Sequence, residues 1–465
     1  MARFMVRHAH PPERCPARDP YEGAKLLNHL SRGNVARFGV RIHGEAVVKG
    51  EHTLYMIAEA ADESQLRRFL APFDKAGSVD IFPASTYAAV AASGSCDAAV
   101  PASKITQALD PQDACEDAIE GGLVVLRAHP LNCETSIPEL IGGVVMPNAR
   151  FYLRNHFHMP TLDPESYRLS VGGLVERELS FSLHELRGMR SQSRIVTLEC
   201  AGNGRALFDP PAEGEKWNLG AVSTAEWTGV PVREVLARAG VLKRAREVLF
   251  RGADRGAVEG RADPIHFERS LRIEDPNLDE ALLAYAMNGE ALSVPHGFPL
   301  RLVVPGWYAV TSIKWLTEIA LIEEPFRGFF QADRYHYEWN REGRVVSETV
   351  DLQRVRALIT EPNLDQLVPR GDLTIRGVAW SGAAGIAQVE VRVGEGDWQA
   401  ARIVSAPSRG SWCWWELMTH LDQPGIVTIR ARATDLVGAT QPERAEWNRL
   451  GYGNNSIQRV SIRVI

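Results

Sequence analysis

The sequence lacks any run of about 18 apolar residues, which argues against a membrane-spanning helix. It lacks an excess of either charge: 52 Lys and Arg stand against 58 Asp and Glu, a formal charge of -6. The signs are interspersed, so there is no basic stripe for nucleic acid and no polybasic membrane anchor. Cysteine is scarce. The six present (Cys15, Cys96, Cys115, Cys133, Cys200, Cys413) include no Cys-x-x-Cys, which argues against a zinc knot, an iron–sulfur cluster or a disulfide framework. No G-x-S-x-G elbow, P-loop, His-Glu-x-x-His or strand-following G-x-G-x-x-G occurs, so hydrolase, NTPase and NAD-enzyme readings drop out. The opening MARFMVRHAHPP has neither an apolar h-region nor a twin-arginine pair, from which a cytoplasmic location is expected.

What is present is the composition of an ordinary globular protein, 45% hydrophobic and 24% charged, in a chain of 465 residues that is too long for one core. The expected class is α+β. Residues 1–97 read β-α-β-β-α-β: a strand at 3–8, a helix at 21–31, alternating runs at 36–48 and 53–60, a helical segment from Asp62, and an apolar run at 79–92. That order predicts a ferredoxin-like α+β domain, and 53–92 also resembles small dimeric α+β-barrel domains. Residues 98–137, with Pro101, Pro111 and Gly121-Gly122, read as a linker. Residues 138–347 alternate short apolar runs with helical stretches such as 231–240, as in a mixed α+β domain. From 348 to 465 the pattern is short strands at 373–380, 386–393, 399–405, 412–417, 426–433 and 457–464, the sequence of an immunoglobulin-like β-sandwich.

One cysteine stands in a chemically suggestive setting. Cys200 lies in TLECAGNGR (197–205), where a strand-like stretch runs into a Gly-rich turn. Taken alone it reads at least as well as a half-buried structural cysteine. Arg205 and the turn's N–H groups would favour a thiolate, and soft thiolates suit metals that change oxidation state. Two histidine pairs, His8/His10 and His156/His158, have a spacing able to serve a metal, although loop histidines so spaced are usually solvated.

The segment 197–205 resembles the molybdenum-cysteine loop of the sulfite oxidase family. Further segments match that family in the same order over about 138–465: FYLRNH (151–156), WNLGAVSTAEWTGVPVREVL (217–236) and HGFPLRLVVPGWYAVTSIKW (296–315). The resemblance implies a molybdenum–molybdopterin cofactor, with Cys200 as the metal's protein ligand. It places Tyr152, Leu153, Arg154, Asn155, His156, Asp254, His296, Arg301, Ser312, Ile313 and Lys314 at cofactor-contacting positions. Arg154, Arg205 and Trp217 fall on the anion pocket, and Tyr335, twenty residues after Trp315, on the active-site tyrosine. Such an enzyme transfers oxygen atoms. A small oxyanion or sulfur compound is the expected substrate, sulfite foremost, and a separate electron acceptor such as a cytochrome c is needed because no haem domain is fused. A homodimer made by the C-terminal domain is also implied.

There is one departure. WNRLGYGNN (447–455) resembles the family's Trp-Asn motif, but Leu450 stands where a second pocket arginine is expected, with Arg449 beside it. The alternatives are an oxidoreductase of the same fold acting on a sulfoxide, nitrate or another sulfur compound, or a non-catalytic molybdopterin carrier.

Overall fold

The computed structural model describes residues 2–12, 15, 29–30, 35, 37–48, 51–74, 77–84, 122–140, 143–405 and 408–465, which belong to two compact units, Met1–Ala108 and Leu109–Ile465. The helix expected at 21–31 lies almost wholly outside the described residues, as do 85–92 and most of the expected linker. Among the described residues no helix is long and apolar enough to cross a membrane.

The first unit is a four-stranded antiparallel sheet of β1 (Ala2–Ala9), β2 (Arg41–Val48), β3 (Thr53–Ala60) and β4 (Ser78–Ala84), in the order β2-β3-β1-β4. That is the strand order of a ferredoxin-like sheet. Alternation decides which face is covered: Phe4, Val6 and His8 of β1 point inward, and Leu54, Met56, Ala58 and Ala60 of β3 join them. The helix Glu63–Asp74 lays Leu66, Phe69, Leu70 and Phe73 on that face, the spacing of one helical stripe. Asp62 caps it, its carboxylate accepting from the Gln65 N–H at 2.7 Å.

In the second unit, residues 143–350 are mostly sheet with few helices. One five-stranded sheet runs Glu290–Ala291, Leu282–Met287, Val222–Pro231, Gln192–Glu199, with Arg301–Val303 also paired to Leu282–Met287. The other runs Ile265–Arg272, Glu247–Gly256, Leu316–Ile322, Arg168–Gly173, Leu179–Ser182. The α-helices Leu183–Gly188, Val232–Ala239 and Pro276–Glu280 are short connectors, so the alternation of strand and helix expected here is weighted much further toward strand. Val232–Ala239 falls inside the stretch expected to be helical, and Val232, Val235, Leu236 and Ala239 are its buried stripe.

The expected linker needs correction. Residues Leu123–Arg127 and Asn132–Thr135 form an antiparallel hairpin of the second unit, tied on by reciprocal backbone hydrogen bonds between Cys133 and Leu153, both 2.9 Å. The acidic residues and glycines just before it hide a short apolar alternation that becomes a strand only when its partner is in place.

Residues 356–464 supply eight strands in the order Arg356–Glu361, Gly371–Trp380, Cys413–Leu421, Gln399–Ile403, Ile386–Val393, Gly425–Asp435, Arg459–Val464, Leu367–Val368. The sheet folds over one core, in which Ile375, Cys413 and Trp415 from one half meet Val389, Ile429 and Ile462 from the other. All six strand runs expected from the sequence are present, and Arg356–Glu361 and Leu367–Val368 are additional.

Candidate active site

The strand Gln192–Glu199 ends where its partner Val222–Pro231 begins, with Glu199 opposite Val222. Beyond that pair the chain turns sharply. The Cys200 N–H donates to Ala221 at 2.9 Å, and the Cys200 carbonyl accepts from Asn203 at 2.9 Å, which aims the side chain into a cavity. A Cβ at Gly202 would come within 2.6 Å of the Arg205 guanidinium, so a larger residue there would displace that side chain. The turn is anchored from behind by a buried ion pair, Arg356 Nη1 to Glu199 Oε1 at 3.0 Å, both side chains 2% exposed. Trp380 and Asn203 donate to the same carboxylate at 2.9 and 3.1 Å.

Around Cys200 lies a narrow cleft of about 70 Å³, partly open to solvent. It brings together Tyr152, Arg154, Asn155, His156, Asp254, His296, Arg301, Ser312, Lys314 and Tyr335 from five separate stretches of chain. Four expected residues stand behind the wall. Leu153 packs in the hairpin core and Ile313 in the main core. Trp217 is fully buried in the apolar cluster that also holds Cys200, which makes it support for the pocket rather than lining. Arg205 is clamped away from the cavity by the Leu450 and Glu215 carbonyls, at 2.9 and 3.0 Å, with its guanidinium over the Tyr452 ring. It acts on the site as a buried charge.

The hairpin supplies a residue that the sequence did not reveal. Asn132 Oδ1 accepts from the Asn155 N–H at 2.8 Å and from Arg154 Nη1 at 3.2 Å, fixing the 152–156 loop. On the other wall, Gly297 has φ 103 and lets the Arg301 and Lys314 Cβ atoms within about 3 Å of where its own Cβ would lie. Arg301 donates to the His296 and Ser312 carbonyls at 3.0 and 3.1 Å. Lys314 donates to the Pro295 carbonyl at 2.9 Å and to Asn155 Oδ1. Phe267 and Trp315 also line the cavity and were not expected; Trp315 holds a positive φ of 50 with its indole donating to Val294. A signal for it existed, since Trp315 ends the longest matching segment.

Burial dominates the electrostatics. It pushes the Cys200 thiol up, against the pull of Arg154 and Arg205. Arg205 and the turn's Gly202 N–H do favour a thiolate, as expected from the sequence, but desolvation outweighs them. Burial, with Arg154 and Lys314 nearby, holds His156 well below its ordinary value, and burial with Arg301 takes His296 to about 3. Both are neutral. Asp254 is pushed up to about 7 by burial, while Lys314 is held well below the ordinary lysine value by burial and Arg301.

Leu450 is 2% exposed and lies in the apolar cluster with Tyr335 and Tyr452, outside the cavity lining. Arg449 faces outward, paired with Glu338 at 2.5 Å and Glu213 at 2.8 Å. It adds no charge to the pocket.

A soft-metal ligand in a cleft lined by the basic side chains of Arg154, Arg301 and Lys314, with Asp254 as the carboxyl in its lining, suits an anionic metal cofactor. Residues 156–330 match the oxidoreductase molybdopterin binding domain, and 347–465 match the Mo-co oxidoreductase dimerisation domain. The chain is 35% identical over 352 residues to sulfite oxidase of Gallus gallus, covering 71% of this chain and 75% of that protein. It is 33% identical over 377 residues to a nitrate reductase [NAD(P)H] of Hordeum vulgare, covering 72% of this chain and 41% of that one. The sulfane dehydrogenase SoxCD of Paracoccus pantotrophus superposes with a TM-score of 0.65 at 25% identity, over 79% of this chain and 93% of that one.

The chain belongs to the sulfite oxidase family, and it is a molybdenum-cofactor-dependent oxidoreductase. The residues present fit that cofactor: Arg301 Nε and Asp254 Oδ1 are buried and lack partners among the described residues, an open donor and an open acceptor among the residues that line the cavity.

Proposed function

We propose that the chain oxidises sulfite to sulfate and passes the two electrons singly to a separate acceptor such as a c-type cytochrome. Water supplies the added oxygen, and two protons leave with the electrons. The observation that supports this reading is the convergence of Arg154 and Tyr335 on the cavity that contains Cys200. In this reading Cys200 holds the metal, while Arg301 and Lys314 pair with the cofactor's phosphate and Asp254 and Ser312 with its polar ring. When bound, the cofactor supplies the two-electron sink and the site of oxygen-atom exchange.

The protein's own part is electrostatic and positional. Arg154 keeps its charge although burial opposes it, because a guanidinium's pKa lies far above neutral and here stays above its ordinary value. A guanidinium held in such a cleft attracts an oxyanion and orients it. The Tyr335 phenol oxygen lies 2.6 Å from Nε2 of His156 and donates to that nitrogen when it carries no proton. Tyr335 can thus hold or hand on a proton beside the substrate. The strands of residues 356–464, with the dimerisation-domain match, support a homodimer.

A second reading rests on the apolar, inward Leu450 and the outward Arg449, which leave the anion subsite with less charge than the family resemblance implies. It is an enzyme of the same fold acting on a sulfoxide, nitrate or another sulfur compound. The deciding measurement is dye-coupled turnover of the molybdenum-loaded protein on sulfite, nitrate and a sulfoxide. Sulfite should give the largest kcat/KM, and Arg154→Gln should raise its KM by roughly 30-fold or more. A larger kcat/KM on nitrate or the sulfoxide would establish the second reading instead.

A further inference from the structure

The first unit carries a cluster that the molybdenum chemistry does not use. Where β1 ends, the chain continues through His10 and turns back, the Cys15 N–H donating to the Pro12 carbonyl at 3.4 Å. His52, just before β3, faces the same point, and its carbonyl accepts from the His10 N–H at 3.1 Å. The imidazoles of His10 and His52 lie 5.5 Å apart, centroid to centroid. One ligand atom from each of His10, Cys15 and His52 lies within 4.8 Å of the other two.

Two features set this cluster apart from solvated loop histidines. Both ring nitrogens of His10 are buried and have no hydrogen-bond partner among the described residues, a state that costs free energy unless something else binds them. His52 holds a left-handed φ of 51, a conformation sparsely used by residues other than glycine and one that must be stabilised by what surrounds it. The neighbouring His8 is different: it is 2% exposed and its Nε2 is satisfied by the Phe73 carbonyl at 3.1 Å, so it belongs to the core.

We infer that His10, Cys15 and His52 form a binding site for a borderline-soft cation of the Zn²⁺ class, with one coordination position left for solvent or an outside ligand. Two imidazoles and a thiolate are the donor set such ions prefer. Tetrahedral zinc with Zn–N of about 2.0–2.1 Å and Zn–S of about 2.3 Å places its ligand atoms roughly 3.3–3.8 Å apart. A contraction of about 1 Å from the observed spread reaches that geometry, within the reach of side-chain rotation at three half-buried residues. Occupation would tie the segment after β1 to the turn before β3 at one end of the β1–β3 pair, where Ala9 faces Thr53.

The test uses the full-length chain with its molybdenum cofactor in place, stripped of weakly held metal, and Zn²⁺ as the probe in competition with a chromophoric chelator. Binding of one Zn²⁺ per chain is expected. Cys15→Ser, His10→Ala and His52→Asn, the last chosen because asparagine tolerates a positive φ, should each weaken it by roughly 10- to 100-fold or more. Molybdenum content should not change. With Co²⁺ as a second probe, a thiolate-to-cobalt charge-transfer band should appear in the parent and vanish in Cys15→Ser. Zinc affinity equal in the parent and in Cys15→Ser, or a cobalt band that persists in that near-isosteric variant, would overturn the assignment even if His10→Ala fails to fold.

Discussion

The phenol oxygen of Tyr335 lies 2.6 Å from Nε2 of His156, and the two residues are 179 positions apart in the chain. The imidazole is stacked on Phe267 at 4.6 Å and the phenol on Tyr452 at 4.9 Å, so neither ring can turn away. Because His156 stays neutral, the pair offers a proton acceptor and a proton donor in fixed register. Tyr335→Phe removes the proton and leaves the stack. It is expected to lower kcat about 100-fold with KM nearly unchanged, measured by steady-state assay, since the lost contact acts on a proton in flight more than on substrate binding. A KM effect equal to the kcat effect would make the tyrosine a binding group instead.

His296 titrates at about 3 when folded and near its ordinary 6.5 when unfolded. Between those values the unfolded chain binds a proton that the folded chain refuses, so unfolding takes up a proton. The stabilising contribution is full above about 6.5 and is lost as pH falls toward 3. At pH 5, His296→Gln should therefore take up about one proton fewer on denaturation, read in a pH-stat. Equal uptake by the two proteins would show that His296 is already protonated in the fold.

The ion pair between Glu199 and Arg356 is buried on both sides and sits directly behind Cys200. Arg356→Met leaves a carboxylate stranded in the interior, an expected loss of about 3–5 kcal/mol, together with a lower fraction of molybdenum-loaded protein. Adding Glu199→Gln to Arg356→Met should restore part of the melting temperature, because the stranded charge is gone. No recovery in the double variant would mean that geometry, and not the uncompensated charge, causes the loss.

Truncation separates the two units from the hairpin. Removing residues 1–108 takes away only the first compact unit, and the shortened protein should retain molybdenum. Removing 1–137 also deletes Asn132, which positions Asn155 and Arg154, and Glu134, which accepts from Asn218 at 2.8 Å. That protein should bind much less molybdenum by elemental analysis. Equal loading of the two would show that the hairpin is dispensable.

Leu450 supplies its carbonyl to Arg205 and its side chain to the core. Leu450→Arg forces a guanidinium among apolar groups with nothing to pair with, so its expected effect is a loss of thermal stability of several kcal/mol and no gain in sulfite affinity. A lowered KM for sulfite with unchanged melting temperature would place this side chain in the anion pocket after all.

Much of the protein was legible in the sequence. The strand order of the first unit, the six principal strands after residue 370 and the helix Val232–Ala239 all follow from apolar periodicity, which is local and survives in one dimension. The cofactor-binding wall was legible for another reason: ten of the expected residues besides Cys200 line one cavity, and they lie in contiguous stretches whose order along the chain could be recognised. The sequence alone therefore determined which residues could do the chemistry.

Only the tertiary structure decided which of them face it. Arg154 and Arg205 look equivalent in the sequence, yet one lines the cavity and the other is held behind it by two backbone carbonyls. Trp217 is shut into the core, Asn132 emerges from a presumed linker to brace the 152–156 loop, and Arg449 and Leu450 take opposite environments. The direction of the Cys200 shift was likewise decided by the fold, because neighbouring cations favour a thiolate while burial opposes it. Periodicity records whether a residue prefers water. The direction in which a buried polar side chain points depends on partners far along the chain, and those partners meet only when the whole core has closed.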